Sequence, residues 1–181
     1  MRQEFRVIQS YGDFEVREYF PCVIAEVRVS ANFSESSSSA FSILFNYISK
    51  GNNSSEKIAM TAPVITAQHE DAPDSAEWNI SFVMPSGSTF DQMPQPNNSQ
   101  VRLRELDTER CVAKSFRGRA TDGLSRKIAQ ELRASAAKAN ISLTSETRIC
   151  RFDPPFKPGI LHYKAYTGNQ SKVIFSFNNL V

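Results

Sequence analysis

The sequence predicts an α+β fold, a curved or barrel-like sheet with two helices packed against it. Three observations predict it. Short runs in which apolar and polar residues alternate recur along the chain, the mark of strands with one buried face. One stretch breaks that period: Phe41, Leu44, Phe45 and Ile48 fall at i, i+3, i+4 and i+7, a stripe on an amphipathic helix. After residues 86–100, rich in Pro, Ser, Asn and Gln, the strand–strand–helix order starts again.

The elements follow in order. Phe5-Arg6-Val7-Ile8 and Asp13-Phe14-Glu15-Val16-Arg17-Glu18-Tyr19 alternate as half-buried strands joined at Tyr11-Gly12-Asp13, and Pro21 precedes a third strand over 22–29. Asn32 with Glu35 three residues on is a capping-box entry to the first helix. Serines 36–39 have weak helix propensity, so that first turn depends on packing further along. Lys50 in the last turn and Gly51 just after it form the predicted stop. Ile43 and Tyr47 widen the apolar stripe, so the helix is either covered on two sides or borders a groove. Residues 64–67 and 78–83 read as strands around a polar hairpin loop, 69–77.

Past the surface linker 86–100, Val101 to Glu105 repeats the pattern of Phe14 to Glu18, and Cys111 to Arg117 that of Cys22 to Arg28. The second helix runs from about Asp122 to Ala139, with Leu124, Ile128 and Leu132 spaced by four and Asn140 at its stop. This reads as one domain, 1–181, built by internal duplication of pseudo-repeats at about 5–85 and 101–167. Residues 148–152, 160–166 and 173–177 read as closing strands. Between the first two of these, three prolines stiffen Asp153-Pro154-Pro155-Phe156-Lys157-Pro158-Gly159.

Composition bounds the function. The 181 residues are 40% apolar and 22% charged, with 13 Phe against one Trp, as in a globular domain with a phenylalanine-lined interior. A net charge of +2 without a basic stripe or a nucleic-acid motif argues against nucleic acid as a partner. Cys22, Cys111 and Cys150 are far apart and odd in number, which suits thiols in a reducing compartment. The charged start Met-Arg-Gln-Glu-Phe-Arg lacks a signal-peptide core, and no apolar run is long enough for a membrane span. Seven Asn-x-Ser sites then reflect Asn and Ser richness alone. The expected location is cytoplasmic, or a plastid or other organelle if a transit peptide has been removed.

Catalytic signatures are missing. There is no G-x-S-x-G elbow, no phosphate-binding glycine loop and no H-E-x-x-H. His69 sits beside Glu70 and Asp71 in a loop, and paired carboxylates lie in strands next to arginines, as cross-strand ion pairs do. The chain reads as non-enzymatic.

Several strings resemble the SOUL/haem-binding-protein family: Glu15-Val16-Arg17-Glu18-Tyr19, Tyr47-Ile48-x-x-Gly51-Asn52, Lys57-Ile58-Ala59-Met60-Thr61-Ala62-Pro63-Val64, Phe82-Val83-Met84-Pro85 and Asp153-Pro154-Pro155-Phe156-Lys157-Pro158. The resemblance spans roughly Tyr11 to Tyr166. It implies a distorted antiparallel β-barrel flanked by two helices with an approximate internal dyad, related to effector-binding tandem repeats. It also implies binding of haem or another tetrapyrrole. Lys157 matches a basic pocket residue of the family. Glu18 stands where some relatives have a proposed axial histidine, and Ser38 and Asn46 where some carry cations. Leu161-His162-Tyr163-Lys164 replaces the family's usual Arg-Arg-Asn-Glu, which leaves His162 as the candidate haem-iron ligand, a strand-surface histidine being the ordinary account.

The resulting expectation is a tetrapyrrole carrier with a groove between the first helix and the Phe156–Lys157 loop. Phe41, Leu44, Phe45, Ile48 and Phe156 would contact the porphyrin ring, and Lys157 a propionate. Met60 lies at the helix exit. Periodicity alone does not separate a groove wall from a plain core face. The other reading is a small-molecule effector-binding or protein-interaction module on the same scaffold, without physiological haem binding and with an unnamed protein partner.

Overall fold

The computed structural model describes residues 2–30, 33–68, 77–117, 120–144, 146–152 and 170–176, with side chains for all but 33–37, 170, 171 and 176. Its strands are β1 (Phe5–Tyr11), β2 (Phe14–Tyr19), β3 (Cys22–Ser30), β4 (Val64–Gln68), β5 (Glu77–Val83), β6 (Arg102–Leu106), β7 (Glu109–Arg117), β8 (Arg148–Arg151) and β9 (Gln170–Ser176). The helices are α1 (Phe33–Ile48) and α2 (Asp122–Lys138). The capping residue Asn32, most of the 69–77 loop, and the expected strand at 160–166 lie outside the described residues.

All nine strands form one antiparallel sheet in the order β1-β2-β7-β9-β8-β4-β5-β3-β6. Without β1 the order is palindromic. β2, β3, α1, β4, β5 correspond in turn to β6, β7, α2, β8, β9, and exchanging the two sets reverses the list. The central pair is β4 with β8, Val64 facing Arg151 and Ala67 facing Arg148. Among the described residues β1 and β6 are both edges, so the sheet they form is a curled half-barrel.

Strand alternation sorts the core. From β3, Val23, Ala25 and Val27 point toward α1 and pack with Leu44, Tyr47 and Ile48. From β7 and β9, Val112, Val173 and Phe175 pack with Ala129 and Leu132 of α2. The alternate residues Ile24, Ile65, Cys111, Cys150 and Ile174 form a third cluster to which neither helix contributes. Both helices therefore lie on one face.

Helix α2 is capped by Thr121, whose Oγ1 accepts from the Leu124 amide at 3.3 Å, and it ends at Asn140 with φ 58°. Its buried line is Ser125, Ala129, Leu132 and Ala136, one position round from the Leu124–Ile128–Leu132 stripe. The expected linker 86–100 is more than a surface connector. It contains a 3₁₀ turn at Phe90–Gln92 and inserts Met93 into the α1 core. Among the described residues no helix is long and apolar enough to cross a membrane.

Candidate ligand-binding site

Helix α1 turns its residues at 100° steps, and the sheet takes Ala40, Leu44, Tyr47 and Ile48, all 3% exposed or less. The predicted stripe is thereby divided. Leu44 and Ile48 fill the core. Phe41 is half-buried and meets Phe82 edge-on, ring centres 5.2 Å apart. Phe45 is 49% exposed and stacks on Phe41 at 5.9 Å and 13°. Tyr47, expected beside the stripe, is at its centre. Its hydroxyl donates to the Pro94 carbonyl at 2.9 Å, and burial, with Glu56 nearby, pushes its pKa up to about 12.

The helix stop differs from the expected one. Lys50, beyond the last turn, takes the positive φ (100°), and Gly51 is needed for space. A Cβ at Gly51 would stand 2.7 Å from the Asn46 carbonyl oxygen, whose bond to the Gly51 amide is 2.8 Å. Asn52 is 1% exposed and replaces a turn of backbone. Its Nδ2 donates to the Tyr47 and Glu56 carbonyls at 3.0 and 2.8 Å, and its Oδ1 accepts from the Glu56 amide at 3.0 Å. The Ile58 amide donates to the Ile48 carbonyl at 2.8 Å, and Lys57 bridges to Ser49 one turn past Phe45.

Beside that bridge the surface dips into a depression of about 320 Å³, bordered by Lys57, Ile58, Ala59, Pro85, Gln92 and Met93. Sequence reasoning missed it. Its walls come from two loops far apart in the chain, and the one local clue was an apolar Met93 inside a polar, proline-rich stretch.

Electrostatically, the described side chains on the exposed side of α1 are neutral: Ser38, Ser42 and Asn46 are solvent-facing. Glu18 is committed elsewhere, to Arg6 at 2.6 Å and Arg110 at 3.1 Å, which hold its carboxyl below the usual range. Phe156, Lys157 and both histidines, His69 and His162, lie outside the described residues. Cys111 and Cys150 are buried and unbonded to each other; burial pushes the Cys150 thiol up to about 12, far from a neutral-pH nucleophile.

A family model described as SOUL heme-binding protein matches residues 2–164. The chain belongs to that family. Heme-binding protein 1 of Xenopus laevis is 27% identical to this SOUL protein over 169 residues, 92% of this chain and 84% of that one. The solved C-terminal domain of EcmrR superposes with a TM-score of 0.67 at 15% identity, covering 92% of this chain and 98% of that one. A hydrolase from Listeria innocua superposes with a TM-score of 0.61 at 9% identity, over 94% of each chain. At such identities the two structures share the fold alone with this SOUL protein. The family name directs attention to a flat, apolar, anionic ligand. Of the described residues, the Phe41–Phe45 stack fits the flat ring of such a group; these two residues would hold it by stacking.

Proposed function

We propose that this SOUL protein is a non-enzymatic binder or carrier of haem or another tetrapyrrole, with α1 as the ring platform. The observation that carries the reading is Phe45: a large aromatic held half in solvent against a second ring, on a helix whose other described apolar residues are in the core or packed against it. Phe41 and Phe45 supply the ring contacts, Leu44 and Ile48 hold the platform rigid from beneath, and Phe156 and Lys157 remain assigned from the sequence alone, as a ring contact and a propionate contact. The palindromic strand order supports reading a single domain built from two copies of one module, the second copy running on through β9 rather than ending at 167.

Stacking and partial burial set the scale. About 400 Å² of apolar ligand surface at ~25 cal/mol/Å² is worth roughly 10 kcal/mol gross. Association entropy removes roughly 4–15 kcal/mol, so micromolar or weaker affinity is expected. Haemin titrated into the protein should give a saturable Soret shift that Phe45→Asp abolishes while the melting temperature is unchanged. A non-saturating spectrum, or one indifferent to Phe45→Asp, refutes the platform.

The neutral residues Ser38 and Asn46 favour a second reading, a small-molecule effector-binding or protein-interaction module, since an anionic tetrapyrrole meets little positive charge along α1. A thermal-shift screen separates the two. Stabilisation by uncharged amphiphiles with none by haemin selects the module.

A further inference from the structure

The face of the sheet turned away from both helices carries a cluster that the tetrapyrrole reading does not use. Arg17 on β2 and Lys172 on β9 belong to the two strands flanking β7. The Phe5 ring of β1 lies between their charges, its centre 4.1 Å from the Arg17 guanidinium carbon and 5.8 Å from Lys172 Nζ. Phe152, just past β8, is a second ring, 5.4 Å from Lys172 Nζ and 5.7 Å from the Arg2 guanidinium carbon. Three cations thus converge on two phenyl rings.

The compensating charge is incomplete. Glu15 accepts from Arg17 Nε at 2.7 Å, and Tyr19 Oη accepts from Arg17 Nη1 at 3.3 Å. The nearby Arg148 is matched by Glu109 and Glu146. Lys172 has no carboxylate within ion-pair distance among the described residues; its close contacts are the two rings. Burial, then the positive charge of Arg17, holds its ammonium below the usual lysine range, and Glu15, already bonded to Arg17, offsets only part of this. A half-buried cation this weakly compensated among the described residues is unfavourable, and an incoming anion relieves it.

We infer that Lys172, Arg17 and Arg2, walled by Phe5 and Phe152, form a second binding site that takes a small aromatic carboxylate. The carboxylate would accept from Lys172 and the arginines, and the flat body would lie against the rings. Phe5 and Phe152 pack on Tyr19, Cys111, Cys150 and Ile174, so the site is on the opposite side of the sheet from Phe45.

Calorimetric titration of the full chain with naphthoate, and with its uncharged isostere naphthamide, tests this. Naphthoate should bind at one equivalent with affinity falling as salt rises, and naphthamide about tenfold or more weaker. Lys172→Met should weaken naphthoate about tenfold or more, Lys172→Arg should retain binding, and Phe45→Asp should bind as the wild type does. Lys172→Met should melt no lower than the wild type, since it removes a half-buried, weakly compensated cation. The inference is overturned if naphthoate does not bind, if naphthamide binds as tightly, if Lys172→Met binds normally, or if Phe45→Asp loses the naphthoate isotherm. The naphthamide and salt comparisons use wild-type protein and stand whatever a variant does to folding.

Discussion

Phe41 and Phe45 stack within 13° of parallel, yet only Phe41 also touches the sheet, through the edge of Phe82. One helix therefore presents an aromatic pair with one ring anchored and the other accessible. Leu44, one residue before Phe45, is fully buried. The two should respond oppositely to truncation. Leu44→Ala removes core volume and should cost about 2–5 kcal/mol. Phe45→Ala gives up one exposed stack and should cost under about 1 kcal/mol. Urea unfolding with unchanged m values measures both, and comparable losses would mean that Phe45 is a core residue after all.

The Gly51–Asn52 pair is a structural device for ending α1. At Gly51 the obstacle to a side chain is the Asn46 backbone as well as its side chain, so rotamer change cannot relieve it. Gly51→Ala should cost about 1–3 kcal/mol. Asn52→Ala removes the partner of two carbonyls and one amide and should cost at least ~2 kcal/mol. The exposed neighbour Asn53, replaced by Ala, is the control and should cost less than half as much as Asn52→Ala. Equal effects at 52 and 53 would remove Asn52 from this role.

Much of the fold is written locally, and the reasons for the exceptions are physical. The stop at Asn140 translates directly, because a left-handed cap is a property of adjacent residues. Phe14 and Val16 alternate onto one face as read, but Arg17, Glu18 and Tyr19 are buried too, because β2 is covered on both faces rather than half-buried. A helical stripe is different. Residues 100° apart leave several rotations open, and only the sheet's position decided that Ala40 and Tyr47, rather than Phe41 and Phe45, face inward. Gly51 was legible as a helix-end residue, but its reason is crowding by Asn46, with the positive φ passed to Lys50. The depression by Lys57 and Met93, and the meeting of Arg17 with Lys172, join distant segments, and an apolar Met93 in a polar stretch is the one local trace of either.

Asp13, in the β1–β2 turn, ties that turn to α2 and β7. Ser135 Oγ donates to Oδ2 at 2.7 Å and Lys114 Nζ at 3.1 Å, and the Ser135 bond, then that of Lys114, lowers the Asp13 pKa. A carboxyl depressed on folding stabilises the fold above its unfolded pKa, and loses that contribution as pH falls through the folded one. Asp13→Asn should therefore be less stable than the wild type at neutral pH, by under about 1 kcal/mol for so exposed a pair. The difference should shrink to nothing in acid. A gap between the two unfolding curves that persists below the carboxylate range would mean that the charge is not its source.

Iron should matter little to ligand affinity. The position at which some relatives have a proposed axial histidine is Glu18, and its carboxylate is held by Arg6 and Arg110. The contacts assigned to α1 are with the ring, through Phe45 and Phe41. Ring burial is the same for haemin and for metal-free protoporphyrin, so their dissociation constants should agree within about threefold, a difference under ~0.7 kcal/mol. A protein–iron bond from His162 would break that equality and favour haemin strongly. Fluorescence titration with protoporphyrin beside absorbance titration with haemin measures the ratio, and His162→Ala identifies the ligand if haemin alone binds tightly.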